Sequence, residues 1–183
     1  MKTLLLISSL LLFLLLGFCT SIDTITSNQS IKDGDLIVSE GKNFALGFCS
    51  PTNSSRRYVG IWYNRVSEQT LVWIANRDNS INGSSGVLSL DTAENLVIRN
   101  GDSGIPVWFT NVSAVTGKAP FSAQLLDTGN LVLFQGDTKS DFAWQSFDYP
   151  TNTLLPYMKL GVDRRTGLNR FLTSWKSRDD PGK

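Results

Sequence analysis

Asn95-Leu-Val-Ile98 leads to Trp108-Phe-Thr-Asn111, and Asn130-Leu-Val-Leu133 leads to Trp144-Gln-Ser-Phe147. The two asparagines are 35 residues apart and the two tryptophans 36. A third tryptophan, in Trp73-Ile-Ala-Asn76, stands 35 residues before Trp108, and Tyr58-Val-Gly-Ile-Trp-Tyr63 precedes it in the slot that Asn-Leu-Val fills elsewhere. From about Lys42 to Phe147 the chain therefore carries three copies of one unit. Self-similarity at a fixed period marks a supersecondary piece that cannot bury its own apolar face and must stack on its copies.

Each copy reads as short strands. Val87 to Leu90, a turn over Asp91 to Glu94, and Leu96 to Ile98 form one hairpin; Ala123 to Leu126, a turn at Asp127-Thr-Gly129, and Leu131 to Phe134 form another. A third strand in each unit ends in the tryptophan: Leu71-Val-Trp73, Pro106-Val-Trp108 and Phe142-Ala-Trp144. Further out, Asp33-Gly34 between Ser30-Ile-Lys32 and Leu36-Ile-Val38 predicts one more hairpin. In Phe44-Ala-Leu-Gly-Phe-Cys49 the large residues share one parity, as in a strand with one core face. No window sustains a 3.6-residue apolar period, so the chain is all-β. Three small sheets around one axis would bring Trp73, Trp108 and Trp144 into one core and leave Asp91 to Glu94 exposed. Beyond Asp148 the period breaks, turn clusters appear, and Leu168 to Trp175 has strand composition.

With 183 residues and 41% of them hydrophobic, there is room for one full domain. Seventeen basic residues against 16 acidic ones give a net charge of +1, so no basic field points to nucleic acid. The chain has no histidine, which removes His-dependent triads, His metal sites and His proton shuttles. Gly101-Asp-Ser-Gly104 echoes a protease nucleophile motif, but Ser103 has no base and the tetrapeptide suits a turn. No phosphate loop or kinase catalytic loop occurs. The expectation is a non-enzyme without metal or cofactor.

Residues 1–19 read as a secretory signal peptide, with Lys2 before an apolar run from Leu4 to Leu16 and small residues Gly17 and Cys19 at the cleavage site. A signal anchor and a lipobox are the rivals; Phe18 speaks against the second. Cleavage would leave Cys49 as the lone cysteine, available for an intermolecular bridge or, as its strand parity favours, a small buried residue. Four Asn-x-Ser/Thr triplets, at Asn28, Asn53, Asn82 and Asn111, add the expectation of a secreted, N-glycosylated protein.

Lys32-Asp-Gly-Asp-Leu36, Phe44-Ala-Leu-Gly-Phe48, Tyr58-Val-Gly-Ile-Trp-Tyr63, Val72-Trp-Ile-Ala-Asn-Arg-Asp78, Leu126-Asp-Thr-Gly-Asn-Leu-Val132, Trp144-Gln-Ser-Phe-Asp-Tyr-Pro150 and Leu172-Thr-Ser-Trp-Lys176 together resemble the plant S-domain family. These are the S-locus glycoproteins and the G-type lectin S-receptor-like kinases. The resemblance implies a bulb-type lectin domain, a β-prism of three four-stranded sheets with pseudo-threefold symmetry, over residues 20–150. Residues 151–183 would then be a linker and the start of a second lectin-like region. In full-length relatives cysteine-rich modules, a membrane span and a cytoplasmic kinase follow, which places them at the plasma membrane.

Mannose-binding bulb lectins carry the pocket motif Gln-x-Asp-x-Asn-x-Val-x-Tyr, whose polar groups hold sugar hydroxyls. Anchored on Asn130, this chain places Leu126 at Gln, Thr128 at Asp, Val132 at Val and Phe134 at Tyr. Anchored on Asn95, it places Asp91, Ala93, Val97 and Arg99. Anchored on Val59, the first unit keeps only Tyr63 in the tyrosine slot. Asp127 and Gln124 lie nearby but out of register. The candidate sugar-binding residues are thus Asn130, Val132, Phe134, Asp127, Asn95, Val97, Asp91 and Tyr63, against the alternative that Asp127 and Asn130 cap a turn. Two functions follow as expectations. One is a cell-surface recognition module for a mannose-type carbohydrate or a glycoprotein or peptide ligand, with weak or degenerate binding. The other is an interaction domain that forms homo- or heterodimers with related receptors and binds no sugar.

Overall fold

Three short strands open the fold: β1 (Thr24–Ile25), β2 (Ser30–Lys32) and β3 (Leu36–Val38). Three antiparallel units follow. The first is β4 (Phe44–Cys49), β5 (Arg56–Tyr63) and β6 (Leu71–Ile74), with the short β7 (Ile81–Asn82) pairing β5 beside it. The second is β8 (Gly86–Leu90), β9 (Leu96–Asn100) and β10 (Pro106–Phe109), and the third β11 (Phe121–Leu125), β12 (Leu131–Gln135) and β13 (Phe142–Gln145). The computed structural model describes residues 22–51, 54–101, 103–113, 119–136 and 141–182; the leader and Asn53 lie outside them.

Each three-stranded unit has two edges, and the opening segment covers one edge of every unit. β3 pairs β4, β2 pairs β8 and β1 pairs β11, so each sheet gains its fourth strand from a different part of one short belt. Covering edges removes rows of unpaired backbone groups. The expected Asp33-Gly34 hairpin is corrected here. The turn forms, with Asp35 N–H donating to Lys32 O at 3.0 Å and Gly34 at φ 99°. Its two arms part into different sheets, Ser30–Lys32 pairing the edge of β8 and Leu36–Val38 the edge of β4. Both arms also bury an isoleucine, Ile31 and Ile37, in the common core.

The three third strands share one irregularity. Register shifts before Trp73, Trp108 and Trp144, leaving Val72, Val107 and Ala143 as extra residues. A bulge re-aims the side chain beside it. Each tryptophan then sits opposite an inward aliphatic residue: Ile61, Ile98 and Leu133. The three indoles meet at centroid distances of 6.1, 5.9 and 5.7 Å with interplanar angles of 77°, 67° and 75°. Edge-to-face packing sets each ring's positive rim on a neighbour's negative face. Trp73 and Trp144 are buried, while Trp108 is half-buried, less than the symmetry predicts. In the turn expected to be exposed, Asp91 and Glu94 are half-buried and only Thr92 and Ala93 are open.

Parity in β4 follows the sequence. Phe44, Leu46 and Phe48 enter the main core, and Ala45 and Cys49 enter a smaller cluster outside the first sheet with Tyr58, Trp62, Leu71 and Ile74. Trp175 covers that cluster. Residues 151–182 are therefore no free linker. Leu155 is in the main core, Thr151 Oγ1 donates to Val72 O, and Arg77 donates from Nε to Pro181 O at 2.7 Å and from Nη2 to Thr173 and Ser174 carbonyls. The apolar anchors Leu155 and Trp175 bind this tail to the prism. The strand composition of Leu168 to Trp175 yields only β15 (Asn169–Arg170), paired with β14 (Gly161–Val162); beyond it Thr173 N–H donates to Thr151 O, and the Thr173 and Ser174 carbonyls accept from the Arg77 side chain.

Replacing a core aromatic by alanine costs about 3–5 kcal/mol. Melting of Trp73→Ala, Trp108→Ala and Trp144→Ala should show large losses for the first and third and the smallest loss for Trp108→Ala. A second outcome concerns Cys49. Burial pushes its thiol from the ordinary 9.0 up to about 12, with Arg57 pulling weakly the other way. In a chain lacking residues 1–19, the native thiolate fraction at pH 8 should be about a thousandfold below that of an open cysteine. Unfolded chain ionises from pH 9.0 upward while folded chain holds its proton to about 12, so this group's stabilisation is complete below 9.0 and is lost as pH rises through that window. A chromogenic disulfide should titrate the thiol only after urea is added.

Candidate functional site

The asparagine of each motif is built into the backbone. Asn130 is 5% exposed. Its Nδ2 donates to Gln145 Oε1 at 2.9 Å, and its Oδ1 accepts from Ser146 Oγ at 3.1 Å and from Phe147 N–H at 3.2 Å. Leu131 N–H donates to the same Ser146 hydroxyl at 2.9 Å. This knot joins the start of β12 to the 3-10 turn Ser146–Asp148 that follows β13. The second unit repeats it: Asn95 Oδ1 accepts from Thr110 Oγ1 at 3.1 Å and Val112 N–H at 2.7 Å, and Leu96 N–H donates to Thr110 Oγ1 at 3.1 Å. In the first unit Ala75 stands where the hydroxyl residue is needed. Asn76, one residue on, substitutes for it, with Oδ1 accepting from Val59 N–H at 2.8 Å.

The acidic candidates are similarly engaged. Asp91 Oδ1 accepts from the N–H groups of Ala93 and Asn95, both at 2.9 Å, closing its own turn. Asp127 Oδ1 accepts from Gly41 N–H at 2.7 Å and so ties the third unit's turn to the first unit. A Cβ on Gly41 would lie 2.8 Å from that carboxylate, so any larger residue there would displace it. Val97 and Val132 face outward from their sheets yet are buried, and Phe134 is 5% exposed. Tyr63 requires a correction. Val59 and Ile61 belong to the main core and Tyr63 packs against it, 5.2 Å from the Phe44 ring. The pairing of Trp73 with Ile61 matches Trp108 with Ile98 and Trp144 with Leu133, so the valine slot falls on Gly60 and the tyrosine slot on Trp62. A one-residue slip exchanges the two faces of a strand. Trp62, Leu71 and Trp175 fill the outer face of this first sheet.

The third unit retains a cleft. It has a volume of about 360 Å³ and is lined on one side by Leu126, Thr128, Asn130 and Gln145, the motif slots and their neighbour. The other side comes from the tail: Tyr157, Lys159 and Arg170. Arg170 donates from Nε to Asp148 Oδ1 at 2.7 Å, and Lys159 is exposed. Tyr157 is 82% exposed at φ 74°. On the adjoining outer sheet face, Gln124, Val132 and Gln145 lie in one row across three strands. Gln124 donates to Asp23 Oδ2 at 2.6 Å, while its buried Oε1 has no partner among the described residues. Gln145, Tyr157, Lys159 and Arg170 have no place in the sugar motif, and among them only Gln145 lies in a repeat motif, Trp144-Gln-Ser-Phe147. Among the described residues no acidic or cysteine cluster could hold a metal ion.

An Asn130→Ala chain leaves the Ser146 hydroxyl and Phe147 N–H without their acceptor. Each buried group left unpaired costs about 1–3 kcal/mol. The urea midpoint should fall markedly with an unchanged slope, and Asp127→Asn, at an exposed contact, should move it less.

Residues 70–176 match the D-mannose binding lectin family. A G-type lectin S-receptor-like serine/threonine-protein kinase of Arabidopsis thaliana is 52% identical over 169 residues, covering 92% of this chain and 20% of that protein. An S-locus-specific glycoprotein of Brassica oleracea is 47% identical over 178 residues, covering 94% of this chain and 40% of that protein. The chain thus spans about a fifth of the kinase's length and two fifths of the glycoprotein's. Among solved structures, the mannose-specific agglutinin of snowdrop bulbs aligns with a TM-score of 0.46 at 18% identity, over 65% of this chain and 97% of that one. A Marasmius oreades lectin aligns with a TM-score of 0.49 at 17% identity, over 69% and 92%. With three tryptophan-centred sheets and a family match over more than half of its length, the chain belongs to the D-mannose binding lectin family and is a bulb-type lectin domain homologous to the corresponding segments of S-domain receptor kinases and S-locus glycoproteins.

Proposed function

We propose that this domain is an extracellular recognition module whose ligand surface is the third sheet's outer face and the cleft beside it. The observation that carries this reading is the division of labour there. Leu126 and Thr128 stand in the glutamine and aspartate slots and Asn130 is spent on the backbone knot, while Gln145, Tyr157, Lys159 and Arg170 supply polar groups from another direction. Recognition of free mannose is then weak, and the module serves a larger glycan or glycoprotein. The leader and the exposed triplets at Asn28, Asn82 and Asn111 support export. Among the described residues no helix is long and apolar enough to cross a membrane.

A second reading, docking of a protein partner without sugar, is favoured by the exposed apolar residues Tyr157, Leu160 and Val162 along the tail. A glycan array on the folded domain separates the two. Dimerisation with related receptors belongs to this second reading.

Losing one charged and one neutral hydrogen bond removes roughly 2–4 kcal/mol. Calorimetry should find mannose bound no tighter than about 1 mM, near −4.1 kcal/mol. Leu126→Gln with Thr128→Asp should raise the affinity. Adding Phe134→Tyr should add nothing, because that ring is buried. Micromolar binding by the unaltered domain would contradict the reading.

A further inference from the structure

A second cleft, of about 430 Å³, lies over the tryptophan triad and away from the slots of the sugar motif. Its rim carries three aromatic rings that remain about half exposed: Phe109 at 48%, Tyr149 at 49% and Phe171 at 54%. Such rings are costly to leave in water, and here they converge on one opening. Tyr149 is held rigidly, stacked on Trp144 at 5.7 Å and 13°, with its carbonyl accepting from Trp73 Nε1 at 2.9 Å. Asn111 lines the same cleft. It heads the triplet Asn111-Val112-Ser113, stands two residues after Phe109, and is exposed. Its backbone is left-handed, at φ 55°, and its side-chain amide has no hydrogen-bond partner among the described residues.

We propose that this cleft is the seat of the chain's own N-linked glycan: the first N-acetylglucosamine on Asn111 packs its C–H face on Phe109 and Tyr149 and caps the tryptophan triad. Sugar C–H groups and the negative face of an aromatic ring attract each other. A glycan joined to the rim of the cleft enters it without the entropy cost of a free ligand. The donor is a lipid-pyrophosphate-linked oligosaccharide. Asn111 Nδ2 forms a bond to C1 of the first sugar, the C1–O bond to pyrophosphate breaks, and the amide gives up one proton as the lipid pyrophosphate leaves. The inference rests on the export reading above and goes beyond it by assigning the sugar a place on the protein.

The test uses the chain with its own leader, secreted from human cells that make only oligomannose glycans. Three forms are compared: intact, trimmed with endoglycosidase H to one N-acetylglucosamine, and Ser113→Ala, which keeps Asn111 but blocks the transfer. Peptide mass spectrometry gives occupancy at Asn111, and acrylamide quenching reads tryptophan access. The intact and trimmed forms should share a low quenching slope. Ser113→Ala should raise the slope and lower the melting temperature by about 2–4 °C, the shift that one aromatic contact makes in a chain of this size. Phe109→Ala should abolish the difference between glycosylated and unglycosylated forms. An unoccupied Asn111 in the secreted chain overturns this proposal alone, whereas a chain retained in the cytosol overturns the export reading and this proposal with it. Occupancy without any change in quenching or melting, or protection that disappears on trimming to one sugar, overturns this proposal alone.

Discussion

Three indoles that pack edge to face hold the rest of this structure in place. Each comes from a different unit, and each reaches the axis because one extra residue before it bends its strand. A four-stranded sheet of this size has one apolar face and no partner of its own, so none of the units is stable alone. The triad joins the three faces at one point. The opening belt then closes the outer edges, crossing the sheets in the opposite order to the repeats. Three long-range aromatic contacts and one short segment thus supply what the local strands lack.

The same architecture constrains the site. Asn95 and Asn130 bind the hydroxyl residue two positions after the unit's tryptophan, and with it the corner that delivers that tryptophan to the core. A residue with this duty has little capacity left for a ligand. Leu126 and Thr128 take no part in that corner and, among the described residues, bond only within their own turn, and they are the slots in which the sugar motif is missing. The tail compensates on one side only. It brings Tyr157, Lys159 and Arg170 to the third sheet, while its Trp175 closes the first. Three similar units therefore present three different outer faces.

The repeat, the strands and the meeting of the tryptophans were legible because each leaves a local mark: a 35- or 36-residue spacing, alternation, and turn residues. The partner of each belt strand was not legible, because Asp33-Gly34 reports a turn and says nothing about which edge its arms will join. The first unit's register was also hidden. It lacks the asparagine that anchors the others, and Val59 and Gly60 differ by the single step that decides which face a residue occupies. Gln124 looked out of register in the linear motif but lies opposite Val132 across the sheet. Contacts such as Arg77 with Pro181 join residues far apart in the chain, and no periodicity encodes them.

Double-mutant cycles on Trp73, Trp108 and Trp144, each changed to Leu singly and in pairs, test the central claim most directly. Leucine keeps an apolar core residue and removes the ring. If the three indoles act as one mutually packed centre, each of the three pairs should show a coupling of about 0.5–1.5 kcal/mol in urea unfolding. Additive losses in any pair would mean that this tryptophan pair packs independently, and the threefold centre on which this account rests would be contradicted.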